Sequence, residues 1–217
     1  MTAVAQALPY CVAVASDRPA ADRLLTPTER LACAAIPDSR RRSDWRAGRI
    51  AAKWAASRLS GTGVPERFEL VPVPGRAPLL LVRGDDGVAL PASMTVSLAH
   101  RDGRAAAVAA RPGSRVGVDV ERVGAIPVAH ERYFLSPAER SSAGTRGAAE
   151  LWALKEAAWK ALGCDESMPF SAIQLRFGGG GALRALSFQG VTVEARASVR
   201  RPWRGYVVAV VHASSRQ

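Results

Sequence analysis

Two acidic residues lie two positions apart in the segment Val-Gly-Val-Asp-Val-Glu at 116–121. Alternate residues of a strand share a face, so the valines are expected on one face and Gly117, Asp119 and Glu121 on the other. Two carboxylates beside a glycine that leaves space could hold a hard divalent cation such as Mg²⁺. A half-buried strand with a solvent-exposed polar face would show the same alternation. The segment therefore predicts a strand that carries either a metal site or an ordinary polar face.

A second set of charged side chains lies in the alanine-rich segment 151–162. At helical periodicity, Lys155 falls inside the apolar stripe of this segment, and Glu156 and Lys160 lie together at its edge. The latter two could form a surface ion pair, and the Lys155 stem could lie along apolar surface with its ammonium group in water. Alternatively, both lysines meet phosphate oxygens in a polar cavity between two lobes, where Glu156 joins the carboxylates on the metal.

The elements that would position these residues occur twice along the chain. Leu-Thr-Pro-Thr-Glu-Arg at 25–30 resembles Leu-Ser-Pro-Ala-Glu-Arg at 135–140, and the segment 45–53 aligns with 152–160, which matches its final lysine with Lys160. Each half therefore predicts an apolar strand, a helix that begins at Ser/Thr-Pro, and a long alanine-rich helix. Repeats more than 100 residues apart indicate a duplicated lobe.

The remaining apolar segments predict strands that turn back on one another. We therefore expect an α+β fold with two similar, pseudo-duplicated lobes, each an antiparallel sheet packed with a long helix. The N-terminal lobe, with a central linker rich in Pro and Gly, is expected to span 1–95. The C-terminal lobe, with the acidic segment 116–121 and the lysine-containing segment 151–162, is expected to span 96–217.

Composition limits the class of protein. The chain has 217 residues, of which 48% are hydrophobic and 23% charged, which is typical of a globular domain rather than a disordered one. No apolar run of about 18 residues predicts a transmembrane helix. The three cysteines are widely spaced and suggest neither a disulfide framework nor a zinc site, so we expect a cytoplasmic protein. The net charge of +11 predicts a polyanionic partner, such as nucleic acid, a membrane, a phosphorylated ligand or an acidic protein.

Together, the segments 116–121 and 152–160 resemble the two signature motifs of the 4'-phosphopantetheinyl transferase superfamily, in the same order and about 35 residues apart. The length and the duplication are similar to the longer, two-lobed Sfp-type enzymes rather than the short trimeric holo-carrier synthases. The resemblance implies a holo-[carrier protein] synthase. Such an enzyme moves the 4'-phosphopantetheine arm of coenzyme A onto a serine of an apo acyl or peptidyl carrier protein and releases 3',5'-ADP.

The resemblance also implies roles for the charged residues. Asp119, Glu121 and Glu156 would be the ligands of Mg²⁺, with Mn²⁺ as the alternative. Lys155 and Lys160 would face the pyrophosphate and, with Glu156, form the catalytic set. Phosphoryl transfer needs mainly positioning and neutralisation of charge, which a divalent ion and adjacent lysines provide. The base that takes the serine proton would be Glu156 or a metal-bound water.

Further resemblance implies contacts to coenzyme A. The histidine of Val-Ser-Leu-Ala-His at 96–100 matches the family histidine that contacts the 3'-phosphate, although Ala99 stands where the family has serine. Gly-Arg-Ala-Pro at 75–78 resembles a Gly-x-Pro turn near the adenine. The basic stretch 40–49 matches a nucleotide-contacting segment, and a solvated basic face is the alternative for 40–42. The implied cofactor-binding residues are His100, Arg42, Arg49, Gly75, Arg76, Pro78, Lys155 and Lys160.

Two other functions are compatible with the charge: a basic nucleic-acid-binding module and a non-catalytic coenzyme A-binding paralogue. Aromatic residues make up only 6% of the chain, and no helix-turn-helix, zinc finger or RNA-binding motif is visible, which argues against the first. The complete set of acidic residues and helix lysines argues against the second. We therefore expect an acidic carrier protein domain as the partner, no nucleic acid or membrane, and a monomer. The pathway served, whether fatty-acid, polyketide or peptide synthesis, is left open.

Overall fold

The computed structural model describes residues 9–74, 77–164 and 168–214, and its elements occur in the same order in each half. Each half runs strand, short helix, long helix and then a group of strands. The first half contains β1 (Tyr10–Ser16), α1 (Pro27–Ala34), α2 (Ser39–Ser60), β2 (Phe68–Val71), β3 (Leu79–Arg83), β4 (Ala89–Pro91), β5 (Thr95–Arg101) and β6 (Arg104–Ala110). The second half contains β7 (Arg115–Arg122), α3 (Pro137–Ser142), α4 (Ala148–Leu162), β8 (Ile173–Phe177), β9 (Leu183–Phe188), β10 (Val191–Arg200) and β11 (Tyr206–Ala213). The predicted α+β class with antiparallel sheets is confirmed.

The described strands form three antiparallel sheets. The first has the order β1-β6-β5, the second β7-β11-β10-β9-β8, and the third β2-β3-β4. Strands β5 and β6 form a hairpin, and β6 also pairs with β1. The change from the first sheet to the second therefore falls between β6 and β7. The expected division of the lobes at residues 95 and 96 stays a prediction.

Alternation along the strands creates separate cores on the two faces of each sheet. On β6, Ala105, Ala107 and Ala109 pack in the core of α2, whereas the residues between them pack against β7 and β11. On β11, Ala209 and Val211 pack in the core of α4. The two long helices therefore cover the outer faces of two sheets whose inner faces meet.

Local sequence determines where the helices begin and end. Thr26 and Ser136 are the N-caps of α1 and α3, and each forms a capping box with the glutamate three residues later. Helices α2 and α4 end at Gly61 and Gly163, whose φ angles of 74° and 69° are accessible to glycine without strain. No helix in the described ranges combines the length and hydrophobicity needed to cross a membrane.

A buried ion pair joins the short helix to the long helix in each lobe. The distance is 2.5 Å both between Glu29 Oε2 and Lys53 Nζ and between Glu139 Oε1 and Lys155 Nζ. Each glutamate also accepts a hydrogen bond from a backbone N–H of the strand that follows, β2 or β8. The structural repeat therefore matches Lys53 with Lys155 and not with Lys160. The sequence alignment followed the tryptophans, whereas the ion pair depends on which lysine reaches the capping glutamate.

Candidate active site

The polar face of β7 lies against α4. Val116, Val118 and Val120 pack toward the first sheet, which leaves Gly117 and the two acidic residues on the helix side. A Cβ atom on Gly117 would lie 1.9 Å from the carbonyl oxygen of Ala157. The alternation is as expected, but the space beside Gly117 is filled by the backbone of α4 and is not left open for a cation.

Three carboxylates from β7 and α4 converge in what we call the carboxylate cluster, formed by Asp119, Glu121 and Glu156. One oxygen atom of each lies within 4.8 Å of the others. Asp119 and Glu121 are only 4% and 6% exposed. Asp119 Oδ2 is buried and accepts no hydrogen bond from any described residue. A donor set made only of carboxylate oxygens, with one buried oxygen unsatisfied, fits a hard divalent cation.

The environment of the cluster disfavours its negative charge. Burial raises the pKa of Asp119 well above its ordinary value, against the attraction of Lys160 and with added repulsion from Glu156 and Glu121. Burial also raises the pKa of Glu121, although Arg101 opposes the shift. A bound divalent cation would reverse this balance and favour the ionised carboxylates.

Lys160 connects two members of the cluster. Its Nζ lies 3.1 Å from Asp119 Oδ1 and 3.0 Å from Glu156 Oε1, and it donates a hydrogen bond to the carbonyl of Val118. Burial alone would lower the pKa of Lys160, but the two carboxylates outweigh it and raise the pKa. Lys160 therefore carries its positive charge at neutral pH, and it contacts the buried Asp119 in addition to forming the expected i,i+4 pair with Glu156.

Glu156 is oriented by an aromatic side chain of its own helix. The indole N–H of Trp152 donates to Glu156 Oε2 at 3.2 Å, while the other carboxylate oxygen faces Lys160. The Trp152 ring lies 4.9 Å from Phe134 and 5.0 Å from Phe170, centroid to centroid. This aromatic packing restricts the indole and so fixes the direction of the carboxylate.

The hairpin between β5 and β6 adds a residue that sequence reasoning missed. Arg101 Nη1 lies 2.6 Å from Glu121 Oε2, so the first sheet supplies a cation to a carboxylate of the second. The sequence analysis assigns no role to Arg101. The available signal was its position directly after His100, at the end of a strand expected to reach the site.

His100 faces the N-terminal half of α2. Its Nδ1 lies 3.8 Å from Asp44 Oδ2, which is too long for a hydrogen bond. Burial lowers the pKa of His100; Asp44 opposes this shift, and the positive charges of Lys160 and Arg49 add to it. Basic groups from α2, β5 and α4 therefore act on the same region between the lobes.

The structure places Lys155 away from the carboxylate cluster. Its side chain is 1% exposed and its ammonium group is bound to Glu139. Burial lowers the pKa of Lys155, and the contact with Glu139 opposes this. The side chain lies along the core and reaches the capping glutamate of α3, and its contact with a pyrophosphate stays a prediction.

The arginines predicted to contact the nucleotide have different surroundings. Arg42 donates to the backbone carbonyls of Ile36 and Pro37, so its guanidinium is engaged within its own lobe. Arg49 is 8% exposed, lies over the Trp45 ring at 4.0 Å, and has a buried Nε without a hydrogen-bond partner in the described part of the chain. Burial lowers the pKa of Arg49.

The predicted adenine turn is only partly covered by the structure. Gly75 and Arg76 lie outside the described residues. Pro78 is half-buried and directly precedes β3.

Comparison with known families bears on the second half of the chain. Residues 115–211 match the family model described as the 4'-phosphopantetheinyl transferase superfamily. The superfamily resemblance is confirmed. The superfamily region includes the whole carboxylate cluster and Lys160, whereas His100, Arg101 and Arg49 lie before it.

Two solved structures are similar to part of the chain. The crystal structure of Thermotoga maritima holo-[acyl-carrier-protein] synthase has 25% identity and a TM-score of 0.37, and the match covers 47% of this chain and 64% of that one. Mycobacterium tuberculosis acyl carrier protein synthase has 22% identity and a TM-score of 0.34. This second match covers 46% of this chain and 96% of that one. The match thus spans less than two thirds of the Thermotoga chain. A search of curated proteins finds no match. The superfamily resemblance rests on the sequence match at 115–211.

Proposed function

We propose that the protein is an Sfp-type 4'-phosphopantetheinyl transferase, which transfers the phosphopantetheine arm of coenzyme A to a serine of an apo acyl or peptidyl carrier protein. The observation that carries this proposal is the convergence of the carboxylate cluster and Lys160 within the superfamily region. The duplicated lobes and the 217-residue chain support the two-lobed type.

Asp119, Glu121 and Glu156 would hold a divalent metal ion, Mg²⁺ or Mn²⁺. When bound, such an ion supplies positive charge to the oxygens of a transferring phosphoryl group. The buried Oδ2 of Asp119 supports this assignment. A buried acceptor without a partner costs about 1–3 kcal/mol, and ligation of a cation would remove that cost.

Lys160 and Glu156 would act on the reacting groups themselves. The serine oxygen forms a bond to the phosphorus of phosphopantetheine, the bond from that phosphorus to the 3',5'-ADP oxygen breaks, and the serine proton passes to a base. Glu156 is the proposed base, and Trp152 keeps its carboxylate in place. Lys160, charged and fixed by two carboxylates, would stabilise the negative charge on the phosphate oxygens without reorganisation.

The nucleotide of coenzyme A would bind between the lobes. His100 lies where the positive charges of Lys160 and Arg49 both act on it, so an anion bound there would relieve mutual repulsion. Arg49 has a buried Nε available to an acceptor, which supports it as a phosphate contact. Arg42, Gly75, Arg76 and Pro78 stay proposed contacts to the nucleotide. Lys155 is proposed to hold α4 against α3 through its ion pair with Glu139.

The carrier protein would be recognised by charge. The net charge of +11 favours an acidic partner and accelerates its encounter with the site. Arg41 is an exposed residue at the beginning of α2 and makes no ion pair that the structure shows, so it is available to such a partner. We further propose that the protein acts as a cytoplasmic monomer.

Mass spectrometry of an apo carrier domain tests the proposal. After incubation with coenzyme A and Mg²⁺, the carrier should gain the mass of one phosphopantetheine at a single serine. Asp119→Asn should abolish this gain, whereas Glu69→Gln, which removes a carboxylate paired with Arg83 on β2 and β3, should not. Modification by Asp119→Asn at the wild-type rate would refute the assignment. Tight binding of duplex DNA without any carrier modification would favour the nucleic-acid function instead.

A further inference from the structure

Arg101 makes the most direct contact between the first lobe and the carboxylate cluster. It ends β5, its side chain is 35% exposed, and its guanidinium lies 2.6 Å from the buried carboxylate of Glu121. Arg101 Nε is buried and has no hydrogen-bond partner among the described residues. The residue lies before the superfamily region, so neither the family match nor the sequence motifs assign it a role.

The charges around the cluster show what this contact does. Three carboxylates are balanced by two cations, because Lys160 contacts Asp119 and Glu156 while Arg101 contacts Glu121. Lys160 comes from the same helix as Glu156, whereas Arg101 comes from the other sheet and is the more exposed of the two. Arg101 can therefore leave the cluster more easily than Lys160.

A cation that binds to Glu121 must compete with the guanidinium for the same carboxylate. We propose that Arg101 is a positioning residue of the transferase site, which neutralises Glu121 before the metal binds and turns to a phosphate of the substrate afterwards. This inference rests on the proposed function, since it needs a metal and a phosphate ligand at this site. A guanidinium suits both partners because its planar donors match carboxylate and phosphate oxygens equally well.

Direct binding of Mn²⁺ to the full chain, measured by electron paramagnetic resonance of the free ion, tests the first half of the inference. Arg101→Met keeps most of the apolar stem and removes the charge. It should tighten Mn²⁺ binding about tenfold or more, since a unit charge a few ångströms from a divalent ion is repulsive by more than the 1.4 kcal/mol of one decade. Arg101→Lys keeps the charge and should bind Mn²⁺ nearly as the wild type does.

Arg83→Met is the matched control. Arg83 forms a pair with Glu69 at 3.0 Å, with side-chain exposures of 41% and 11% that resemble the 35% and 7% of Arg101 and Glu121. This pair lies on β2 and β3, so its loss should leave the Mn²⁺ affinity unchanged.

The second half of the inference is tested by titrating 3',5'-ADP at saturating Mn²⁺. The nucleotide should bind about tenfold more weakly to Arg101→Met, as expected for the loss of a charged hydrogen bond, and unchanged to Arg83→Met.

Unchanged or weaker Mn²⁺ binding by Arg101→Met would overturn the inference, as would equal tightening by Arg101→Lys. If Arg101→Met fails to fold, Arg101→Lys tests the inference instead. This variant should bind Mn²⁺ with the wild-type affinity and 3',5'-ADP more weakly, because that combination is expected only if the guanidinium reaches the phosphate. Absence of any Mn²⁺ binding by the wild type would reject the metal site and this inference together. The expected Mn²⁺ pattern without carrier modification would reject the proposed transfer and the role of Arg101 in it, and would leave supported only the competition between Arg101 and the metal for Glu121.

Discussion

Replacing Lys155 with methionine is expected to destabilise the fold rather than to remove a phosphate contact. The methionine would leave Glu139, whose side chain is 4% exposed, without its charged partner. Removal of one member of a buried ion pair typically costs about 3–5 kcal/mol. Glu139 would still accept hydrogen bonds from the backbone N–H groups of Ser136 and Leu175. We therefore expect a loss of stability at the lower end of this range, about 3 kcal/mol.

Urea unfolding followed by circular dichroism measures this loss. With an m-value of about 3 kcal/mol/M, a loss of about 3 kcal/mol lowers the midpoint by about 1 M. Carrier modification per folded molecule, assayed without urea, should decrease much less than it does on loss of a cluster carboxylate. The double variant Glu139→Gln with Lys155→Met removes both charges and should recover most of the stability, because replacing a complete buried pair is often close to neutral.

The first lobe provides the matched control. Lys53 makes the same ion pair with Glu29 and also donates to the carbonyl of Leu24, so Lys53→Met should lower the midpoint by at least as much as Lys155→Met. No chemical role is proposed for Lys53. If Lys155→Met unfolds at the wild-type urea concentration but has lost transfer activity, the lysine faces the phosphate and the structural argument is refuted.

Three further predictions concern the site. Mg²⁺ or Mn²⁺ at 100 times its dissociation constant should stabilise the wild type by about 2.7 kcal/mol in thermal unfolding and should not stabilise Asp119→Asn; equal stabilisation of both would place the metal elsewhere. Coenzyme A should raise the pKa of His100, which burial, Lys160 and Arg49 hold below its ordinary value. Proton uptake then accompanies binding, and affinity increases as pH falls through the raised pKa of His100 in the complex. An NMR titration of the imidazole checks this, and an unchanged pKa would exclude contact with the nucleotide. Gly117→Ala should destabilise the fold by several kcal/mol in urea unfolding, because its Cβ would lie 1.9 Å from the Ala157 carbonyl oxygen; a wild-type midpoint would refute the close packing of β7 and α4.

Features that depend on neighbours in the sequence were predictable. The alternation 116–121 predicted which side chains share a face of β7, and Ser/Thr-Pro predicted the starts of α1 and α3. Asp119 and Glu156 could be brought together only through the family resemblance, since 36 residues separate them and periodicity alone left a solvated face and a surface pair as alternatives.

Features that depend on how the lobes pack were not predictable. The contact of Arg101 with Glu121 requires the β5–β6 hairpin to lie beside the end of β7, and no pattern within either segment indicates that. Lys155 lies on the apolar side of α4, as the helical periodicity implied. Its partner Glu139 belongs to the capping motif of α3, and the sequence of that motif predicts only where the helix begins. The reason for Gly117 lies in the α4 backbone, which is 40 residues away along the chain.

The duplication itself separates residues that support the fold from residues of the candidate site. Both lobes have the capping glutamate and the buried lysine, which implies that this pair is needed to hold a short helix, a long helix and a strand together whether or not a site is present. The positions that differ between the lobes belong to the site. On β1, the residues that face α2 include Ala13 and Ala15. On β7, the residues that face α4 include the acidic Asp119 and Glu121. When Lys53 is matched with Lys155, α2 has Trp54 and Arg58 where α4 has Glu156 and Lys160. Among the described residues, the second lobe therefore carries all three proposed metal ligands, and the first lobe contributes Arg101, which contacts one of them, Glu121.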